Sequence, residues 1–328
     1  MPAGSINRRS VLQGAGLALL SPGLIHRASA QRQQVVRLVY PFAAGGGGDA
    51  VARIVADQMS AGLSVPVIVE NRTGAAGRMG AKSVSSAEPD GTTLLIVPNP
   101  PVSIYPHSYQ SLDYDPVRDF APISLIATFD VALAVSPQMN IKTIAELISW
   151  AKQNPTKASY GSPGAGGLGH FFAVMFAMSA GVDFLHVGYR GSSTAVNDLI
   201  GGQIPMVVVT LGDIIEQHKA GHAHILAVSG GQRSPLLPNV PTFKESGVTA
   251  EGQGWFALYA PAKTPAETID RINKVLATRL ATPEVRDRLL KLNVVPQTST
   301  PAQLAELQSD DSRRWAPVVK ASGFTSQQ

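Results

Sequence analysis

Short apolar runs and amphipathic stretches alternate along most of this chain. That alternation restricts it to folds in which a largely parallel sheet is covered by helices. The run "VVRLVYPF", ending at Phe42, reads as a buried strand. The stretch after the glycines, "GDAVARIVADQMSAGL", places Val51, Ile54, Val55 and Met59 on one helical face. "VPVIVEN" is a second strand, "AAGRMGAKSVSSAEPDG" a helix stopped at Pro89-Asp90-Gly91, and "TTLLIVPN" a third strand. The pattern resumes at "ASYGSPGAGGLGHFFAVMFAMSAGV", again a short strand, a glycine loop and an apolar helix. Three helical patterns, each with a proline near its start, follow a late strand, "GWFALYAP".

Two glycine-rich strand-to-helix turns about 120 residues apart predict two similar lobes, as an architectural echo and not a sequence repeat. The expected division is lobe I at 31–133 and 255–328, and lobe II at 134–254, with crossings near Ala134 and Gly254. The helical tail has no strands of its own and is expected to pack back on lobe I.

The glycine loops carry the chemistry. A helix N-terminus exposes unpaired N–H groups with partial positive charge, and glycine lets a ligand approach that backbone. Gly45 to Gly48 before one helix, and Gly164, Gly166 and Gly167 before another, therefore read as anion seats. Asp49 reads as an N-cap that holds the first loop in shape. Gly45-x-Gly47-x-x-Ala50, with Glu70 ending the next strand, also fits the dinucleotide fingerprint, so an exported NAD(P)-dependent oxidoreductase is the rival reading. Against it, Pro41 to Ala44 separate the strand from the first glycine, where a dinucleotide fold needs a tight turn.

No catalytic residue, metal site or cofactor is assigned. His218 and His222 have a helical metal-pair spacing, but Gly221 ends that helix and turns the rings apart. Ser162 lies in a glycine loop without an arguable His and acid pair. His170 and His186 read as structural or cleft-lining residues, and Arg190 as the arginine best placed to reach a cleft. The absence of cysteine excludes disulfides, thiolate catalysis and Cys-ligated metals.

The N-terminal stretch has Arg8 and Arg9, an apolar segment and "ASAQ". It reads as a secretory signal of the twin-arginine type spanning 1–30, cleaved after Ala30. Three of the chain's 27 Lys and Arg residues lie in that segment and none of its 23 Asp and Glu residues does. The formal charge of +4 is thus mostly a property of the leader, and nothing global points to nucleic acid.

The ordered motifs "YPFAAGGGGD", "VENRTGAAGRMGA", "PDGTTLL", "YDPVRDFAPIS", "YGSPGAGGLGHF", "GYRGSSTAVNDLIGGQIPM", "LPNVPTFKESG" and "GWFALYAPAKTP" span the mature chain. Together they resemble the Bug (Bordetella uptake gene) family, the periplasmic receptors of tripartite tricarboxylate transporters. The resemblance implies a type II, Venus-flytrap α/β fold with two lobes and two interlobe crossovers. It implies a monomer that closes on a small carboxylate, held mainly by backbone N–H groups and water, and that docks transiently with membrane transporter subunits. By position it places ligand contacts on Phe42, Ala44, Gly45, Gly46, Gly48 and Asp49, on Asn99, on Ser162, Gly164, Gly166 and Gly167, and on Tyr189, Arg190 and Gly191. Two departures stand out: Gly167 replaces the family's usual Ser or Thr, and Arg190 its usual Lys. "NPPVSIYPHSY" is expected to line the cleft with apolar groups. A receptor-like sensory protein that feeds a signalling system is a further alternative.

Overall fold

The computed structural model describes residues 35–326, so the leader and its cleavage site lie outside the described residues. The elements run β1 (Val36–Tyr40), α1 (Gly47–Leu63), β2 (Val67–Asn71), α2 (Arg78–Ser85), β3 (Thr93–Pro98), α3 (Tyr105–Ser108) and β4 (Phe120–Phe129). Then come β5 (Val131–Val135), α4 (Ile144–Gln153), β6 (Ser159–Pro163), α5 (Leu168–Ala180), β7 (Leu185–Tyr189), α6 (Ser192–Ile200), β8 (Met206–Thr210), α7 (Leu211–Lys219) and β9 (His224–Val228). The chain ends with β10 (Gly254–Pro261), α8 (Ala266–Arg279), α9 (Pro283–Leu290), β11 (Val295–Pro296) and α10 (Pro301–Ser322).

Two sheets result. One is six-stranded, in the order β11-β4-β10-β3-β1-β2, and the other five-stranded, in the order β7-β6-β8-β5-β9. Both are covered on both faces, which is why their strands read as nearly continuous apolar runs. In the first, Leu38, Leu94, Ile96 and Leu258 face α1, α8 and α9, while Val39, Leu95, Val97 and Tyr259 face the opposite layer. In the second, Leu133 and Val208 pack with Phe171, Phe172 and Phe176 of α5, while Ala132, Val207 and Val209 pack with α6 and α7.

Strand direction places the loops. β1, β2 and β3 are parallel, and β4 and β3 both run antiparallel to β10, so β4 ends at the carboxyl edge of β1 to β3. In the second sheet β6 is parallel to β7 and β8, and Val131 at the start of β5 pairs with Thr210 at the end of β8. One residue, Asp130, joins β4 to β5. The chain therefore steps from the carboxyl edge of one sheet to that of the other, and the helix N-termini of both lobes face a common cleft. The return segment, 229–253, makes the same step between β9 and β10.

Asp130 ties the crossing together. Its carbonyl accepts the Leu211 N–H at 2.8 Å, and its Oδ1 accepts Gln253 Nε2 at 2.9 Å. Burial pushes its carboxyl above the ordinary range, partly offset by hydrogen bonds from Gln253, Ser234 and the Gly230 N–H.

The tail departs from expectation. α8 and α9 do pack on the first sheet, through Ile272, Leu276, Val285 and Leu289. α10 starts there, with Leu304, but Trp315, Val318 and Val319 join the core of the second sheet. Residues 255–328 therefore do not stay with one lobe. The reason is visible in α10's buried stripe, which runs from Leu304 to Val319 of the 22-residue helix and outreaches a single sheet. "NPPVSIYPHSY" also packs beneath α10: Val102 is buried on the first sheet's side, and Ile104 and Tyr105 on the second's. Its apolar side chains Val102, Ile104 and Tyr105 are core, and do not make the apolar cleft lining expected of them.

Candidate functional site

The two glycine loops have one geometry. Gly45 and Gly166 are left-handed, at φ +87° and +78°. The next residues are the N-caps, Gly46 at φ −85°, ψ 171° and Gly167 at φ −87°, ψ 172°. Three positions into each helix, a side chain turns back on the loop. Asp49 Oδ2 accepts the Gly45 N–H at 3.0 Å, and His170 Nδ1 accepts the Gly166 N–H at 3.0 Å. The first backbone bonds of the two helices are also equivalent, Ala50 N–H to Gly46 O and Phe171 N–H to Gly167 O. Among the described residues, the N–H groups of Gly46 to Asp49 and of Gly167 to His170 have no acceptor. Each lobe thus presents one turn of free amides at the carboxyl edge of its sheet.

The second helical position is glycine in both loops for steric reasons. A Cβ on Gly48 would overlap the Tyr40 hydroxyl, and one on Gly169 would run into the Val208 carbonyl oxygen. Burial, then the Asp49 charge, pushes the Tyr40 hydroxyl up to about 12, so it stays protonated.

Asp49 is not the N-cap the sequence suggests. Gly46 occupies that place, and Asp49 sits inside the first turn, 3% exposed. Its Oδ2 also accepts Arg53 Nε at 2.9 Å, and its Oδ1 accepts Asn71 Nδ2 at 2.9 Å. Asn71 donates as well to the Phe42 carbonyl at 3.1 Å. Desolvation raises this carboxyl, but the Arg53, Gly45 and Asn71 hydrogen bonds outweigh it and hold Asp49 below the ordinary carboxylate range. Arg53 and Asn71 were missed in the sequence reading. Only the Arg53 spacing, i+4 on one helix, is a local signal.

In the second lobe two of the expected side chains are engaged within the protein. Ser162 is fully buried, and its hydroxyl meets the Gly164 carbonyl at 3.2 Å and His186 Nε2 at 2.8 Å. The Tyr189 hydroxyl donates to Asp198 at 2.9 Å across its own strand–helix unit. Arg190 is exposed, and among the described residues it makes no hydrogen bond or ion pair. Gly191 caps α6, and Ser192 beside it donates to Asp213 at 2.6 Å. In the first lobe Asn99 is fully buried, with Nδ2 bonded to Asp311 Oδ2 at 3.0 Å and Oδ1 without a hydrogen-bond partner among the described residues. A cavity of about 710 Å³ lies between the 109–118 loop and α10 and includes neither glycine loop. The candidate site is the pair of glycine loops at the carboxyl edges of the two sheets.

His170 and His186 stack at 4.2 Å with ring planes 13° apart. Burial, then the neighbouring His186, pushes His170 down to about 4. Burial lowers His186 as well. Because the His170 value falls on folding, its contribution to stability is fully present above the ordinary histidine value and lost as pH falls through about 4. Chemical denaturation between pH 7 and 4 should show stability declining, with a shallower slope in His170→Asn.

Two hinged α/β lobes with amide-lined loops on facing sheet edges define a two-lobed solute-binding protein of the type II class. The family model described as tripartite tricarboxylate transporter family receptor matches residues 51–324, and the chain belongs to that family. It is 34% identical over 318 residues to a UPF0065 protein in the tcbD-tcbE intergenic region of Pseudomonas sp. strain P51, covering 96% of this chain and 94% of that one. Among solved structures, R. palustris Rpa4515 with adipate is 30% identical, with a TM-score of 0.79 over 90% of this chain and 99% of that one. The periplasmic binding protein BugD is 32% identical, with a TM-score of 0.75 over 89% and 99%. These structural relatives are binding proteins, which favours the receptor reading over the oxidoreductase one.

Proposed function

We propose that this protein is a non-catalytic periplasmic receptor that captures a small carboxylate between its lobes and passes it to the membrane subunits of a tripartite transporter. The observation that carries this reading is the duplicated loop. Two turns of free amides, one per lobe, suit the two ends of a short dicarboxylate or one acid group and its water shell. The adipate held by Rpa4515 is a ligand of that kind. Export by the twin-arginine leader, cleavage after Ala30 and action as a monomer belong to the same proposal. So does an open–closed equilibrium that the ligand shifts about Asp130 and 229–253.

The test is a thermal-unfolding screen of the mature protein with dicarboxylates, tricarboxylates and aromatic acids. An acid present at 100 times its Kd stabilises by about 2.7 kcal/mol. No shift with any acid, or a chemically altered acid recovered from the pure protein, overturns the proposal. NAD(H) titrated in parallel should produce no shift.

A further inference from the structure

We propose that His170 is a positioning residue for the second-lobe anion seat, doing for Gly166 what Asp49 does for Gly45. The argument stands on the loop pair, and rests on the proposed function only for what the amides grip. In each lobe one N–H, that of the left-handed glycine, would point away from the common direction of the next three. A side chain three positions into the helix takes it, at 3.0 Å in both loops. With that N–H bound, the Gly167, Leu168 and Gly169 amides are left to converge on one anion.

The chemistry of His170 fits this role. Nδ1 accepts an N–H, so it carries the lone pair and the ring's proton is on Nε2. The ring is held from two sides, where His186 of β7 stacks on it and the Phe324 ring meets it edge-on at 5.8 Å, and the Tyr160 hydroxyl of β6 reaches the backbone carbonyl of the same residue at 3.4 Å. His186 is itself fixed by Ser162 at 2.8 Å. A buried, clamped and neutral acceptor is what a fixed loop requires. The two lobes differ in one respect: the first loop's acceptor is a carboxylate neutralised by Arg53, and the second's is an uncharged ring.

The test compares His170→Asn and His170→Leu in the mature protein labelled with ¹⁵N-glycine. Asn places Oδ1 where Nδ1 stood, whereas Leu keeps bulk and loses the acceptor. The readouts are the Gly166 amide shift and its hydrogen exchange, then adipate affinity, with thermal unfolding of each variant alongside. The expected result is a near-wild-type Gly166 amide and adipate Kd, within threefold, in His170→Asn. In His170→Leu the Gly166 amide moves upfield and exchanges faster, and adipate binds at least tenfold more weakly. A Gly166 amide unchanged in His170→Leu, or equally perturbed in both variants, overturns the assignment. Should wild-type protein ignore adipate and every other acid of the panel, the receptor reading falls, while the Gly166 amide still decides the role of His170.

Discussion

Replacing Asp311 with alanine is expected to cost about 3–5 kcal/mol. Asp311 is 1% exposed, and donors surround it. Its Oδ2 accepts Asn99 Nδ2 at 3.0 Å, Ser103 Oγ at 2.8 Å and Trp255 Nε1 at 3.1 Å. Its Oδ1 accepts Trp315 Nε1 at 2.9 Å and Arg314 Nη1 at 3.3 Å. Deleting the carboxylate leaves two indole N–H groups and an amide without their acceptor, each a penalty of roughly 1–3 kcal/mol before relaxation, while the Ser103 hydroxyl keeps the Asn99 carbonyl at 3.0 Å. Asp311→Asn should lie between, since its own N–H groups would face other donors. Urea denaturation measures both variants, and an alanine variant within 1 kcal/mol of wild type would refute the account.

Valine at Gly46, or at Gly167, should abolish capture while the fold survives. Both residues sit in extended backbone that valine favours. A Cβ on Gly46 meets nothing within 4 Å, and one on Gly167 meets the Pro163 carbonyl at an ordinary 3.4 Å. The two methyls would instead stand over the free amides. A loss of at least about 100-fold, near 2.8 kcal/mol, is expected for any acid that stabilises the wild-type protein, with the unfolding midpoint unchanged. Undiminished binding in both variants would mean that the loops are only turns. Gly166→Val is the wrong probe. Its φ is +78° and its Cβ would lie 2.6 Å from the Phe324 ring, so it would disturb the fold as well as the seat.

What the sequence disclosed follows from how far each signal reaches along the chain. The loops were legible because a glycine run between a strand pattern and a helix pattern is a local statement. Each loop's position, and the pairing of the two, could be read without coordinates. The residues that hold the loops were less legible. Asn71 lies 22 positions from Asp49, and Asp311 lies 212 from Asn99, so no window contains both partners. Asp311 was hidden for a second reason. In "SDDSRR" it looks like one charge among several on a wet helix face. Its neighbour Asp310 does pair with Arg313 at the surface. Only the stripe Leu304, Gln308, Asp311, Trp315, Val318 shows that position 311 points inward, and two of its five members are polar. Family position put Asn99, Ser162 and Tyr189 near the cleft, but nothing local in the sequence announced the partners their side chains engage, which are Asp311, His186 with the Gly164 carbonyl, and Asp198.

The route of α10 limits how such a molecule can move. Two strand crossings alone would let the halves swing apart like covers on a spine. A rod embedded in both interiors permits far less spreading before one of its anchors is torn out. If the lobes open about Asp130 and 229–253 as proposed, the movement is expected to be small, and the stretch of helix between Leu304 and Trp315 has to flex with it.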